Sequence, residues 1–288
     1  MLRSKRHKNL INEDFAVFIP YKAGLPNLRV YFSELWSRKD FIHELARSEM
    51  RAEFSTSLIG QLWVVLNPLF MAGIYYVLII ALSGGSISGP DRFLHLLGCL
   101  FAFQFLSSAV SGGTGSLLRA SGLVSNLNFP RLLLPTTAVL SSLRRFFPMM
   151  IVYFVFHALF RFPVGVNTLL TIPALALLVL TASGLGSLFA TLQVYFRDTQ
   201  MFLQYLFRIL LYASPVLYTA DAIVGSRFAF LTIANPLFSM FTVWGNSLTH
   251  NVSSTATQWL IATIWAFSLF MFGTYAFLVR ERDFVVRL

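Results

Sequence analysis

Residues 60–82 read GQLWVVLNPLFMAGIYYVLIIAL, a run without a single formal charge. A bilayer core about 30 Å thick needs roughly 20 mainly apolar residues at a rise of about 1.5 Å each to cross it as a helix. The turn-forming Ser83-Gly84-Gly85-Ser86 then closes the run. This stretch is a membrane span, and the rest of the chain repeats the pattern. Further apolar stretches place spans near 93–112, between Pro135 and Leu159, between Thr168 and Val194, between Met201 and Tyr218, and between Trp259 and Val279. Six spans with both ends on one side is the simplest count.

Composition agrees. The 288 residues are 56% hydrophobic, 16% aromatic and 12% charged, against roughly 25% charged in a soluble domain. There are too few charges to solvate a globular surface. Ten of the 22 basic and seven of the 12 acidic residues fall in residues 1–53. The chain therefore divides into a polar cytoplasmic segment, residues 1–53, and a transmembrane domain, residues 54–288. With the N-terminus inside, the inner segments hold 16 basic residues and the outer segments three, Arg92, Arg161 and Arg227. That asymmetry follows the positive-inside rule, and it accounts for the net charge of +10 without nucleic acid as a partner. No cleavable signal peptide is expected, because Phe15–Pro20 is the longest apolar run among the first 30 residues.

Two regions need more than spans and loops. Residues 28–51 read as a helix with Tyr31, Leu35, Ile42, Leu45 and Ala46 on one face and Asp40, Glu44, Arg47 and Arg51 opposite. Arg38 and Glu49 interrupt the apolar face. An amphipathic interfacial helix on the inner leaflet is expected, with a docking surface for a soluble partner as the competing reading. Phe228–Val279 holds 52 residues without formal charge, more than one span requires. Ser214–Tyr218 and Asn235–Trp244 are expected in two short re-entrant or interfacial helices between spans five and six, since backbone at that depth must be shielded by protein or line a cavity. A seventh and eighth span would satisfy the charge bias equally.

Several chemistries are missing. A P-loop needs Gly-x-x-x-x-Gly-Lys-Ser/Thr, and the last lysine is Lys39, with no glycine-rich loop before it. Nucleotide hydrolysis by that route is excluded. The five histidines are far apart, Cys99 is the single cysteine, and the outer acids Asp91 and Asp221 stand alone. Neither a metal set nor a pair of catalytic carboxylates is evident. The cations within spans are more informative: Arg144, Arg145 and Arg208 have no Asp or Glu in any span to pair with. Such residues usually face an interior or a pathway, and cations without carboxylates suit an anionic ligand such as a phosphate or pyrophosphate. Snorkelling of Arg208, and a later start of span three, are the competing readings. Gln204, Arg208 and Tyr212 recur at i, i+4 and i+8, while Trp63, Asn67 and Phe70 share a face of span one. Tyr205, Tyr212 and Tyr218 punctuate span five. Aromatic rings with polar edges can stack on sugars that must slide past.

Gly60–Leu69 followed by Tyr75 and Tyr76, Asn128-Phe129-Pro130-Arg131 with Leu134-Pro135, Tyr195-Phe196-Arg197-Asp198, and Ser214–Tyr218 with Asn235-Pro236-Leu237 stand in that order. Together they resemble the ABC-2 type permeases that export polysaccharides such as O-antigen, teichoic acid and cell-wall galactan. The resemblance runs from about residue 30 to the end. It implies an all-α integral membrane protein of the ABC-2 (type V) exporter fold, with six transmembrane helices, in a bacterial plasma (inner) membrane with both termini cytoplasmic. It implies a homodimer around a channel, driven by two copies of a separate ABC ATP-binding subunit. ATP and Mg would be bound by that partner, with no cofactor in this chain. Trp63, Asn67, Phe70, Tyr75, Tyr205, Tyr212 and Tyr218 would line the substrate channel. Arg119, Asn128, Phe129, Pro130 and Arg131 would belong to the ATPase-coupling loop. Arg144, Arg145 and Arg208 are the candidate contacts for the pyrophosphate of a polyprenyl-linked glycan, and Arg144-Arg145 departs from the mostly apolar third span of that family. Permeation of a drug or lipid, and membrane glycosyl transfer, are the alternatives.

Overall fold

The computed structural model describes residues 28–54, 62–85, 89–126, 129–163, 165–223, 229–249 and 252–288, and all regular elements among them are helical. Two short helices, α1 (Leu28–Ser37) and α2 (Lys39–Phe54), replace the single expected one. The break falls at Arg38, whose Nη2 pairs with Glu34 Oε1 at 2.9 Å, so the cation that interrupts the apolar face is satisfied one turn back. Tyr31, Ile42 and Ala46 are buried and Leu35 and Leu45 half-buried, as the sequence periodicity requires. Leu28, Phe32 and Trp36 make a second apolar stripe that stays exposed.

The membrane domain continues through α3 (Leu62–Leu82), α4 (Pro90–Arg119), α5 (Ser121–Asn126), α6 (Leu133–Leu159), α7 (Val166–Leu169) and α8 (Thr171–Tyr195). Beyond these come α9 (Thr199–Ala213), α10 (Leu231–Ala234), α11 (Pro236–Leu248), α12 (Ala256–Arg280) and α13 (Phe284–Arg287). Five helices are long and apolar enough to cross a membrane: α3, α4, α6, α8 together with α7, and α12. At 15 residues, or about 22 Å, α9 falls short of that length. Yet the chain must return across the bundle between α8 and α12. The C-terminal ends of those two helices lie together, since the Tyr195 hydroxyl reaches Asp283 Oδ2 at 3.2 Å and Arg280 lies over the Tyr195 ring at 5.1 Å. The segment after α9 completes the passage: the Leu217 carbonyl accepts from Arg92 Nη2 at 2.6 Å, beside the first turn of α4.

In the bundle, α4 is the hub, with 78% of its apolar window buried against 17% for α3. Such close packing depends on small residues, because lipid tails give apolar side chains little reason to leave them. Gly184 and Gly186 stand two positions apart on α8 and so point to opposite sides of it. Gly184 meets Gly273 of α12, where a Cβ on either residue would strike the other helix's backbone. Gly186 meets Gly113 of α4, where a Cβ on Gly113 would lie 3.1 Å from the Gly186 Cα. Along the same helix the hydroxyls of Thr181, Ser183, Ser187 and Thr191 each donate to the carbonyl four residues back, so polar side chains at membrane depth satisfy themselves.

The apolar stretch after α9 folds back as expected, with one correction. Ser214–Tyr218 forms turns and bends rather than a helix, and the two short helices are α10 and α11. Asn235 divides them: its Oδ1 caps α11 by accepting from Leu237 N at 3.0 Å, and its Nδ2 donates to Ala213 O at 3.0 Å. Pro236 at the first helical position suits this start. Almost every side chain of α11 is buried. Trp244 Nε1 donates to Gly98 O at 3.0 Å, and the Tyr153 hydroxyl donates to Leu248 O at 3.1 Å. Only 13 residues long, about 20 Å, α11 is too short to span a membrane. At the start of α12, Thr255 and Gln258 form a reciprocal capping box.

Candidate functional site: a polar cavity and an aromatic face

The residues singled out in the sequence fall into four places. On α9, burial of Thr199, Leu203 and Phe207 turns the opposite face outward. Gln204, Tyr205, Arg208 and Tyr212 are exposed there, Tyr212 at 55%. The Tyr212 hydroxyl approaches that of Tyr75 on α3, with the Arg208 guanidinium in electrostatic range. Three predicted positions from two distant segments thus form one cluster. Phe70 is exposed on the same helix as Tyr75. The neighbouring Tyr76 differs: its hydroxyl accepts from Gly89 N at 3.0 Å and its ring meets Phe93 at 5.3 Å, so it holds α3 against the start of α4.

The second place is a cavity of about 300 Å³ between α3, α4 and α6. It gathers Trp63, Asn67 and Arg145, which sequence reasoning had assigned separately to channel and pyrophosphate, and it adds Gln104, Ser108 and Ser142. Gln104 Nε2 donates to Ser108 Oγ at 3.2 Å. Val64, Pro68, Phe105 and Met149 complete the wall. The serines and glutamine were missed because each is an ordinary residue in an apolar run. The i, i+4 spacing of Gln104 and Ser108 on α4 gave the one available signal, and Ser142 on α6 gave none.

Arg144 departs from expectation. It turns away from its neighbour's cavity and reaches α2, with Nη1 donating to His43 O at 3.1 Å and Nη2 lying 2.7 Å from His43 Nδ1. Adjacent residues on a helix point about 100° apart, so Arg144 and Arg145 could not both face one site.

The third place is the end of the bundle where α4 closes and α6 begins. Arg119 closes α4 and is exposed, its Nη2 donating to Gly112 O at 2.7 Å. Gly122 and Leu123 of α5 are also exposed. Phe129 and Pro130 are buried, and the Phe129 ring lies 6.3 Å from that of Phe41. Arg131 N donates to Glu281 Oε1 at 2.5 Å, and its Nη1 donates to Glu281 O at 3.0 Å. The Tyr31 hydroxyl donates to the same carboxylate at 2.9 Å. Burial, reinforced by Glu281, pushes the Tyr31 phenol far above its ordinary pKa, so it remains a donor. Phe129, Pro130 and Arg131 therefore brace this loop from behind, and α5 with Arg119 presents its outward surface. Asn128, expected in the same group, lies outside the described residues.

The fourth place is the opposite end, where Tyr218 follows the turns of 214–217. The His95 ring lies against the main chain of Pro215 and Tyr218, and Arg92 donates to the Leu217 carbonyl, fastening this segment to α4.

Residues 42–244 match the ABC-2 type transporter family. The chain is 26% identical over 206 residues to the O-antigen export system permease protein RfbA of Klebsiella pneumoniae, covering 71% of this chain and 78% of that protein. It is 27% identical over 213 residues to the O-antigen export system permease protein RfbA of Myxococcus xanthus, covering 73% and 80%. The matched span takes in the aromatic face, the cavity and Phe129–Arg131, and leaves out Tyr31 and Glu281. This multi-pass membrane protein belongs to the ABC-2 type transporter family.

Proposed function

We propose that this chain is the channel-forming subunit of an ABC exporter that carries a polyprenyl-pyrophosphate-linked polysaccharide from the inner to the outer face of a bacterial plasma membrane. Two copies enclose the path, and two copies of a separate ATP-binding subunit, which bind ATP and Mg, drive it. The chain itself makes and breaks no bonds. The observation that carries this reading is the bare face of α9, where Tyr205, Arg208 and Tyr212 stand exposed and Tyr212 lies beside Tyr75 of α3. A lipid-facing helix has no use for a guanidinium and a ladder of tyrosines, whereas a path for hydroxylated, anionic cargo does. The likeness to the two O-antigen export permeases supports a glycan over a drug as cargo. Exposed α5 and Arg119 are the surface offered to the ATP-binding subunit, and the excess of inner basic residues supports cytoplasmic termini.

The test is ATP-dependent transfer of a lipid-linked glycan into inverted membrane vesicles containing this chain and an ABC ATP-binding subunit. Transfer is expected only when both are present. Extension of a lipid-linked sugar by the purified chain alone would overturn the proposal in favour of a glycosyltransferase.

A further inference from the structure

Helix α5 is six residues long, about 9 Å, and a helix that short is not stable by itself. Its place must come from packing. Two helices supply most of that: α4, which leads straight into α5, and α13, the last turn of the chain. Leu123 N and Val124 N both donate to Ala120 O, at 2.9 and 3.0 Å, so the end of α4 fixes where α5 begins. The direction in which α5 then points is set by Val124, which is 1% exposed, while its neighbour Leu123 is 38% exposed. Val124 belongs to an apolar cluster that includes Phe277 of α12 and Phe284 of α13.

The support behind α5 is anchored in turn. Phe284 is fully buried, and its ring meets that of Phe277 edge to face at 5.1 Å. The turn before it, Glu281–Asp283, is held through Glu281 by the bonds from Tyr31 and Arg131. The Tyr195 hydroxyl of α8 holds the same turn by donating to Asp283 Oδ2 at 3.2 Å. At the far end of α13 the Arg287 guanidinium lies over the Tyr195 ring, 4.5 Å from its centre, an attraction between cation and ring face. Helix α13 is therefore fixed to α8 and α12, the pair whose backbones meet at Gly184 and Gly273. One turn long, it fills the space behind α5 and ties that helix to the pair.

We propose that α13 is a strut that sets the position of α5, with Phe284 as the positioning residue, so that the surface formed by Leu123 and Arg119 is presented relative to α8 and α12 as well as to α4. The consequence for docking rests on the reading of that surface as the one offered to an ATP-binding subunit, and the strut itself does not. A docked subunit that displaces α5 then moves α8, and α9 three residues beyond it, through the last turn of the chain as well as through α4.

Backbone hydrogen exchange of the full-length chain in mild detergent reads the strut directly. In F284A, peptides spanning residues 121–126 are expected to exchange at least about fivefold faster than in wild type, with α4, α8 and α12 as protected as before. F284L keeps an apolar side chain and should restore most of that protection. R287Q gives up only the exposed contact with Tyr195 and should show about a twofold change at α5. Association is then measured in nanodiscs by titrating each variant with a purified ABC ATP-binding subunit that binds the wild-type chain. F284A should need about tenfold more subunit for half-saturation, F284L should bind as wild type does, and L123D, on the exposed side of α5, should bind weakly with wild-type exchange in α4, α8 and α12. Unchanged exchange at α5 in F284A overturns the strut. Faster exchange across the whole bundle in F284A passes the decision to R287Q, where unchanged exchange at α5 overturns it. Faster exchange confined to α5 with undiminished association overturns its part in docking, provided that L123D binds weakly. If L123D binds as wild type does, the docking surface is the reading that fails, and exchange alone decides the strut.

Discussion

Helices α8 and α9 are joined by three residues, Phe196–Asp198, yet they are built on opposite rules. On α8, Gly184 lets α12 approach on one side and Gly186 faces Gly113 of α4 on the other, and its hydroxyls turn inward on its own backbone. On α9 one face is packed while the other exposes Met201, Tyr205, Ile209 and Tyr212. The first is a pillar whose side chains are spent on holding the bundle. The second keeps its chemistry outward, where a second copy, cargo or lipid must meet it. Substitutions along the two helices should therefore separate stability from transport.

The largest effect is expected at the α8–α12 crossing. A Gly273→Leu side chain would run into the main chain at Gly184, and backbone cannot step aside as a flexible side chain can. A cost of at least about 3 kcal/mol is expected, seen as loss of a monodisperse peak on size-exclusion chromatography in detergent. Gly186→Ala is the matched control two positions from Gly184. Its Cβ would find nothing nearer than 3.8 Å, and removing a helical glycine gains up to about 1 kcal/mol. If both variants behave alike, the backbone contact is not what holds α8.

A middle-sized effect belongs to the brace around Glu281. Glu281→Ala removes the acceptor shared by the Tyr31 hydroxyl and Arg131 N, leaving two buried donors to find water at about 1–3 kcal/mol. Since Tyr31 anchors α1, the expected readout is faster tryptic cleavage at Arg38 and Arg47 with little change in the melting of the membrane helices. Glu281→Gln keeps an acceptor oxygen and should be cleaved at nearly the wild-type rate. Unchanged cleavage in Glu281→Ala would mean that apolar packing around Tyr31 suffices.

How much of this was legible beforehand follows the same division. Spans were readable where apolar length alone decides them, as in Leu62–Leu82. The buried face of α1 and α2 was readable because Tyr31, Ile42 and Ala46 keep a helical period. The re-entrant region was placed correctly from excess apolar length and from Asn235-Pro236, whereas Ser214–Tyr218 was misjudged as helical, because a bend tied down by His95 and Arg92 leaves no local signature. Helix α4 runs well past the expected 93–112 because its last turns pack against protein rather than lipid, as buried Ser116 and Leu117 show. For the site, residue type gave Trp63, Arg145 and Tyr212. Which of them meet was hidden, since Trp63 and Arg145 lie 82 positions apart and only the packing of α3 on α6 brings them together. The divergence of Arg144 from Arg145 likewise depends on where α2 lies.

The smallest effect on stability, and the most informative about transport, is expected on α9. Tyr212 is 55% exposed, and replacing it with Ala forfeits a contact with the Tyr75 hydroxyl at the edge of the bundle. Surface substitutions of this kind stay within about 0.5 kcal/mol, and the melting curve should barely move. Export should fall severalfold if the ring takes part in passing sugars, because stacking on an aromatic face cannot be supplied by alanine. Tyr212→Phe divides the two contributions: it keeps the ring and loses the hydroxyl that approaches Tyr75. Near-normal export by Tyr212→Phe with poor export by Tyr212→Ala assigns the work to stacking. Equal loss in both assigns it to the hydroxyl contact with Tyr75, making α3 and α9 a clasp rather than a sliding surface. Normal export in both would place the path elsewhere, and the bare face of α9 would then be where a second copy or lipid sits.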